Sequence, residues 1–317
     1  MTEYKYSTEE AINMVLDKYW TVQFDELDSI KDENYFDAHA PNNIYIICSK
    51  PRIIIDKDYI NKTTDAIELK FQEQQGTKFI DHFIKMPTEG KYGIGETKII
   101  SNHFNHLKLV DDEGTIIEDR KPSSVLFEFR DQVKNKDLFD YKVLYIGQSI
   151  DEYAKMPTIK RIKKHETLLK IFSDAISKNI DKEIFLVLAS FKQNNFIESL
   201  SGIPLSAENL VADNQKLEKL IVNPSRFTLA QRTTFTEASL IRYFQPDYNT
   251  KFKNSFPCKK HTSYSECYYS DINLIMVEVD FSSMDGNIYT DTTEKLMYHN
   301  PKFNLQNSAD RRKMFAD

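Results

Sequence analysis

Residues 142–149 read Lys-Val-Leu-Tyr-Ile-Gly-Gln-Ser, a short apolar run closed by a glycine. A run of that length, bounded by a glycine, specifies a buried strand that ends in a tight turn or where another backbone comes close. Tyr145 is thereby delivered to the end of a sheet strand, beside the one residue type without a side chain. Further on, Phe227, Ala230, Thr234, Ala238 and Ile241 keep to one helical face, and Pro246 stops that helix just after Phe244. A chain with both features must pack helices on a sheet.

The rest of the chain fills in that architecture. Ser7 and Glu10 stand at capping-box spacing ahead of Ala11, Met14, Val15 and Tyr19, which predicts a helix over 7–20. Strands are expected at 44–47 and 53–55, helical stretches at 66–74 and 79–84, and a hairpin around Asp111-Asp112-Glu113-Gly114. Residues 1–120 carry no chemical motif and read as an accessory α+β region that either recognises a target or packs on the catalytic part. Beyond Lys121 come a strand (125–129), a polar loop, the strand containing Tyr145, a helix over 159–177 and a strand over 184–189. An insertion near 192–227 contains a helix at 207–220, and the helix over 228–244 closes the unit. Residues 256–317 form a C-terminal extension with a strand at 274–279 and a turn before Ile288. The expected fold class is α+β: a small mixed or antiparallel sheet flanked by helices over 121–255, with accessory region and extension on either side.

Several polar residues stand where a helix should bury apolar ones. Arg161 and His165 are four positions apart, so on a continuous helix they share a face with Leu168, Leu169, Phe172 and Ile176. A guanidinium and an imidazole at the head of a core-directed stripe suit the margin of a cleft; the plain alternative is a snorkelling arginine and a core histidine. Glu237 has Leu240, Ile241 and Phe244 on its own face, which buries a carboxylate. Such a group needs a cation, a metal or a hydrogen-bond partner. Thr234 offers another explanation, in which Glu237 is the acid of a capping box. Asn249, after Pro246-Asp247-Tyr248, is by itself an ordinary turn former.

Composition limits what such a cleft acts on. The net charge of −6 excludes coating of nucleic acid by bulk electrostatics. Local basic clusters exist, at Lys155, Lys160, Arg161, Lys163 and Lys164 and again at Lys251, Lys253, Lys259 and Lys260, either as phosphate contacts or as solvated faces. Cys48, Cys258 and Cys267 form no disulfide framework, no apolar run reaches a membrane span, and the first residues lack a signal-type apolar stretch, so a cytoplasmic location is expected. Cys258, His261, Cys267 and His299 could in number hold zinc, without the paired spacings such sites show.

Together, Tyr145-Ile146-Gly147, Arg161, His165 and the phrase from Glu237 through Leu240-Ile241 and Pro246 to Asn249 resemble the GIY-YIG nuclease family over about 121–255, with the spacings of its restriction-enzyme branch. The resemblance implies a metal-dependent endonuclease acting on DNA, in a restriction, defence or mobile-element setting. It puts Mg²⁺ or Mn²⁺ on Glu237, Arg161 on the phosphate's non-bridging oxygens, and Asn249 in support of the site or a phosphate. Nucleic-acid contacts are expected from Gly147, Ser149, Lys160, Lys163, Lys164, Lys251 and Lys253. The implied partners are DNA, RNA as the other nucleic acid such a site accepts, and a second copy of the chain where both strands are cut; no membrane is involved. The family's first motif, Gly-Ile-Tyr on the preceding strand, is expected at Val125-Leu126-Phe127, which holds neither glycine nor phenol. The general base then falls to Tyr145 or neutral His165, and the alternative function is a catalytically impaired GIY-YIG-fold protein that binds nucleic acid.

Overall fold

A computed structural model describes residues 6–28, 43–87, 98–99, 106–111, 113–149, 165–199, 204–258, 272–284 and 286–305. Its strands are β1 (Thr8–Gln23), β2 (Ile44–Lys62), β3 (Ala66–Gln75), β4 (Lys78–Pro87), β5 (Lys98–Ile99), β6 (Leu107–Val110), β7 (Ile116–Arg120), β8 (Tyr141–Gln148), β9 (Lys182–Ser199), β10 (Leu274–Asp280), β11 (Ile288–Tyr289), β12 (Tyr298–His299) and β13 (Lys302–Asn304). The helices are α1 (Pro122–Glu128), α2 (Glu166–Ser177), α3 (Ala207–Val222) and α4 (Leu229–Phe244). The fold is α+β, around a mixed sheet in the order β11-β8-β2-β9-β1-β10-β12. β13 also pairs with β10, the β3–β4 hairpin extends from β2, and β5-β6-β7 form a small second sheet.

That sheet draws on nearly the whole chain. β2 lies between β8 and β9, and β1 between β9 and β10, so β1 and β2 are inner strands of this sheet. The C-terminal part likewise contributes β10, which runs parallel to β1. Residues 192–199 continue β9 along β1 to the pair Thr8–Ser199, so they extend a strand, while α3 stands outside the ladder.

Four sequence expectations fail locally, each for a visible reason. The helix expected over 7–20 is β1, because its two supposed capping residues bond elsewhere. Ser7 donates to Asp213 of α3 through both its N–H and its hydroxyl, and Glu10 accepts from Ser225 and Asn195. With neighbours on both edges and buried residues on both faces, β1 satisfies its backbone in the sheet. The helices expected over 66–74 and 79–84 are β3 and β4, joined through Gly76, whose φ of 61° suits the turn. Ile67, Leu69 and Phe71 face inward at every second position, a period of two that outweighs their helical spacing. The strand expected over 125–129 is α1, entered through Pro122 after an extended Lys121, the arrangement proline favours at a first helical turn.

Two apolar layers pack on the main sheet. Phe235, Ala238, Leu240, Ile241 and Phe244 of α4 cover one face, and Leu168, Ile171 and Ala175 of α2 cover the other. A third cluster joins Ile53, Ile55, Phe71 and Leu109 to Val125 and Leu126 of α1. No described helix is long and apolar enough to cross a membrane.

Candidate functional site

The site forms where β2 begins and β8 ends. These strands are antiparallel with Tyr45 opposite Gly147 and Ile47 opposite Tyr145, so the two tyrosines are diagonal neighbours on one face. A bulge at Leu144 re-aims the ladder, sending Tyr141 and Val143 toward α4 and Tyr145 toward α2. The Tyr45 and Tyr145 rings lie 6.0 Å apart, and His165 packs on both, at 5.9 and 5.5 Å. Gly147 makes this possible: a Cβ there would stand 2.5 Å from Tyr45 Cζ and Oη and 2.8 Å from Tyr145 Cε1. The Tyr45 hydroxyl therefore occupies the space of the missing side chain.

Glu237 reaches the same place from α4. The capping box of that helix is Thr228 with Gln231, so Glu237 lies two turns inside, and Thr234 caps nothing. The carboxyl lines a 330 Å³ cavity with Tyr45, Tyr145, His165, Thr167 and Lys251. Burial holds it up at about 7, opposed by the nearby charge of Lys251 and by a hydrogen bond from the Gln148 N–H. No cation forms an ion pair with it among the described residues. Burial also raises the Tyr145 phenol, reinforced by the negative charge of Glu237 and opposed by hydrogen bonds from Tyr45 and Thr167. The same cause lowers His165, against a smaller pull from Glu166, so its ring is neutral at pH 7. His165 Nδ1 is buried without a hydrogen-bond partner.

Asn249 has a definite task. Its Oδ1 accepts from Ile146 N–H at 2.9 Å and its Nδ2 donates to Ile146 O at 2.8 Å, so it imitates a further strand on β8 and supports the site. The residue also lines the cavity, with one amide N–H beyond those bonds. Tyr248 adds to the clasp, its N–H donating to Leu144 O and its hydroxyl to Asp174.

The expected site residues thus divide. Tyr145, Gly147, His165, Glu237, Asn249 and Lys251 come together. Lys253 lies outside the cavity wall and uses its carbonyl to accept from Arg242 and Gln245. Ser149 is buried, its hydroxyl shielded, and its N–H donates to Asn43 O, which leaves it a structural strand end. Lys160, Arg161, Lys163 and Lys164 lie outside the described residues, as do His261 and Cys267. His165 is the residue before α2 and not part of it, so the shared helical face with Arg161 does not apply, and Leu169 and Ile176 of that expected stripe face solvent. Phe127 lines a different cavity. His299 has both ring nitrogens engaged, by Tyr243 and by the Ile288 and Leu296 carbonyls, which leaves none for zinc.

The residue missed in the sequence is Tyr45. Its signal was the phrase Asn43-Ile44-Tyr45 opening a strand, which differs from Gly-Ile-Tyr at its first position only.

Glu237 is the residue of this cavity that could hold a metal ion. Among the described residues no group of three or more His, Cys, Asp or Glu stands ready to hold a metal, and Glu237 is the one carboxylate on this cavity's wall. A single buried, unpaired carboxylate fits Mg²⁺, which retains waters and takes its remaining ligands from a phosphate. Comparison with protein-family models, with curated proteins and with solved structures returned no match.

Proposed function

We propose that this chain is a GIY-YIG-type endonuclease that hydrolyses phosphodiester bonds in DNA. The observation that carries the reading is the convergence of two phenols, a neutral imidazole and an unpaired carboxylate on one cavity. In-line attack of water on phosphorus calls for a proton acceptor, for donors that aim the water, and for positive charge near the leaving oxygen. His165, neutral at pH 7, is the acceptor. The hydrogen-bonded Tyr45 and Tyr145 hydroxyls aim the water, with Tyr45 in the role expected of the family's first tyrosine. A divalent ion on Glu237 would supply the charge neutralisation. Arg161 is assigned the non-bridging oxygens, where a planar fork suits a phosphate. Double-strand cleavage would need a second copy of the chain.

The test is incubation of the purified chain with supercoiled plasmid and Mg²⁺ or Mn²⁺, beside Glu237→Gln and Tyr45→Phe. Nicking by the wild type that both variants lose supports the reading. DNA retained without cleavage points to the impaired binding protein instead, and neither retention nor cleavage overturns both.

A further inference from the structure

A second cavity, of 640 Å³, opens elsewhere in the molecule and shares no wall residue with the first. Strand β2 serves both: Tyr45 stands at one and Lys50 at the other, about 16 Å further along at strand rise. Trp20, Phe127, Tyr141 and Phe185 give this cavity aromatic walls, and Ser123 and Ser283 add hydroxyls. Its volume suits a small-molecule ligand.

Lys50 lines this cavity and is only 8% exposed. Its ammonium stands 4.2 Å from the Tyr141 ring centre, 5.4 Å from Phe185, 5.8 Å from Phe139 and 5.9 Å from Phe127. Aromatic faces favour a cation but accept its three N–H donors poorly. Among the described residues the ammonium has no hydrogen-bond acceptor and no carboxylate within ion-pair distance. The nearest acids are committed: Glu183 accepts from Gln23 and Ile53 N–H, and Asp140 holds Asn287 and Lys295. Burial consequently lowers Lys50 to about 8, against the opposing charges of Glu183 and Asp140.

We propose that this cavity is a binding site for a small planar aromatic molecule bearing one carboxylate, which Lys50 receives while the ring lies among Trp20, Tyr141 and Phe185. A carboxylate supplies the missing acceptor and counter-charge, and a flat ring matches the walls.

Trp20 is the chain's single tryptophan, so its fluorescence reports occupancy. The wild-type chain is titrated with benzoate, with benzyl alcohol and benzylamine as neutral and cationic counterparts, and Lys50→Met is titrated alongside after its fold is checked by circular dichroism. The expected result is a saturable change in Trp20 emission with benzoate, at least about tenfold weaker for either counterpart and for Lys50→Met. A folded Lys50→Met that binds benzoate as well as the wild type overturns the proposal. So does benzyl alcohol binding as tightly as benzoate, or no saturable response at all. If Lys50→Met does not fold, the comparison of the three probes on the wild type decides.

Discussion

Gly147→Ala adds one methyl group where the Tyr45 ring already sits. The new Cβ would meet Cζ and Oη of Tyr45 at 2.5 Å and Cε1 of Tyr145 at 2.8 Å. Ordinary carbon contacts lie near about 3.5–4.0 Å, so one ring or the strand must retreat by roughly 1 Å. Neither moves freely: Tyr45 is 2% exposed and packed against Tyr145 and His165. Overpacking of this kind costs about 1–3 kcal/mol, offset by about 0.5–1 kcal/mol that alanine gains over glycine within a strand. The net loss is about 0–2.5 kcal/mol, a fall in melting temperature of up to about 10 °C for a domain of this size. Activity should suffer more, since displacing a positioned group by about 1 Å can cost about 10²-fold. Thermal melting and plasmid nicking measure the two effects. A double-mutant cycle assigns the cause, because the added methyl should cost clearly less in a Tyr45→Ala background, where only the Tyr145 contact is left. Equal stability and activity of Gly147→Ala and wild type would refute the placement of Tyr45 over Gly147, and an undiminished cost in the Tyr45→Ala background would refute the named clash.

Glu237→Gln should stabilise the protein at alkaline pH while abolishing cleavage. The folded carboxyl titrates at about 7 instead of the ordinary 4.5, so its penalty is absent below 4.5, grows as pH rises through 7 and is complete above. On the order of 3 kcal/mol should separate the variant from wild type at pH 8, and the gap should close toward pH 4.5 in melts across that range. At pH 8, Mg²⁺ should raise the melting temperature of wild type and not of the variant. Asn249→Ala leaves both backbone groups of Ile146 without their partners and should cost about 2–4 kcal/mol in denaturant unfolding. Tyr45→Phe, which keeps the ring packing, should melt within about 1 kcal/mol of wild type yet nick DNA about 10²-fold more slowly, as loss of a group that positions the water.

The parts of the fold that sequence made legible were those with one dominant local signal. The run ending at Gly147 and the helix from its Thr228 cap to Pro246 were of this kind, and with them the burial of Glu237. Helix α3, with Ser206 capping its first turn, was readable for the same reason. The failures came where a local signal was borrowed by a distant partner. Ser7 and Glu10 look like a helix cap until Asp213 and Ser225 are known to claim them. Tyr45 was invisible as a site residue because its significance lies in its register opposite Gly147, a hundred positions away, and the nearest upstream apolar segment at Val125 was taken for its strand. Asn249 was expected to support the site or a phosphate, and its clasp on Ile146 gives the supporting role a form; a side-chain amide matched to a peptide edge leaves no trace in composition or spacing.

The pairing of β1 with β10 also bears on how the protein is made. Glu10 N–H and the Asn273 side chain are hydrogen-bonded across 263 positions of sequence. At ribosomal speeds of about 5–20 residues per second, the leading strand emerges roughly 13–50 s before the strand it must lie beside. Until then one of its edges has no final neighbour, and slippage against β9 or capture by a chaperone competes with correct assembly. Slow codons late in the message, or a missing C-terminal segment, should therefore damage yield through the N-terminal strand, far from where the change was made.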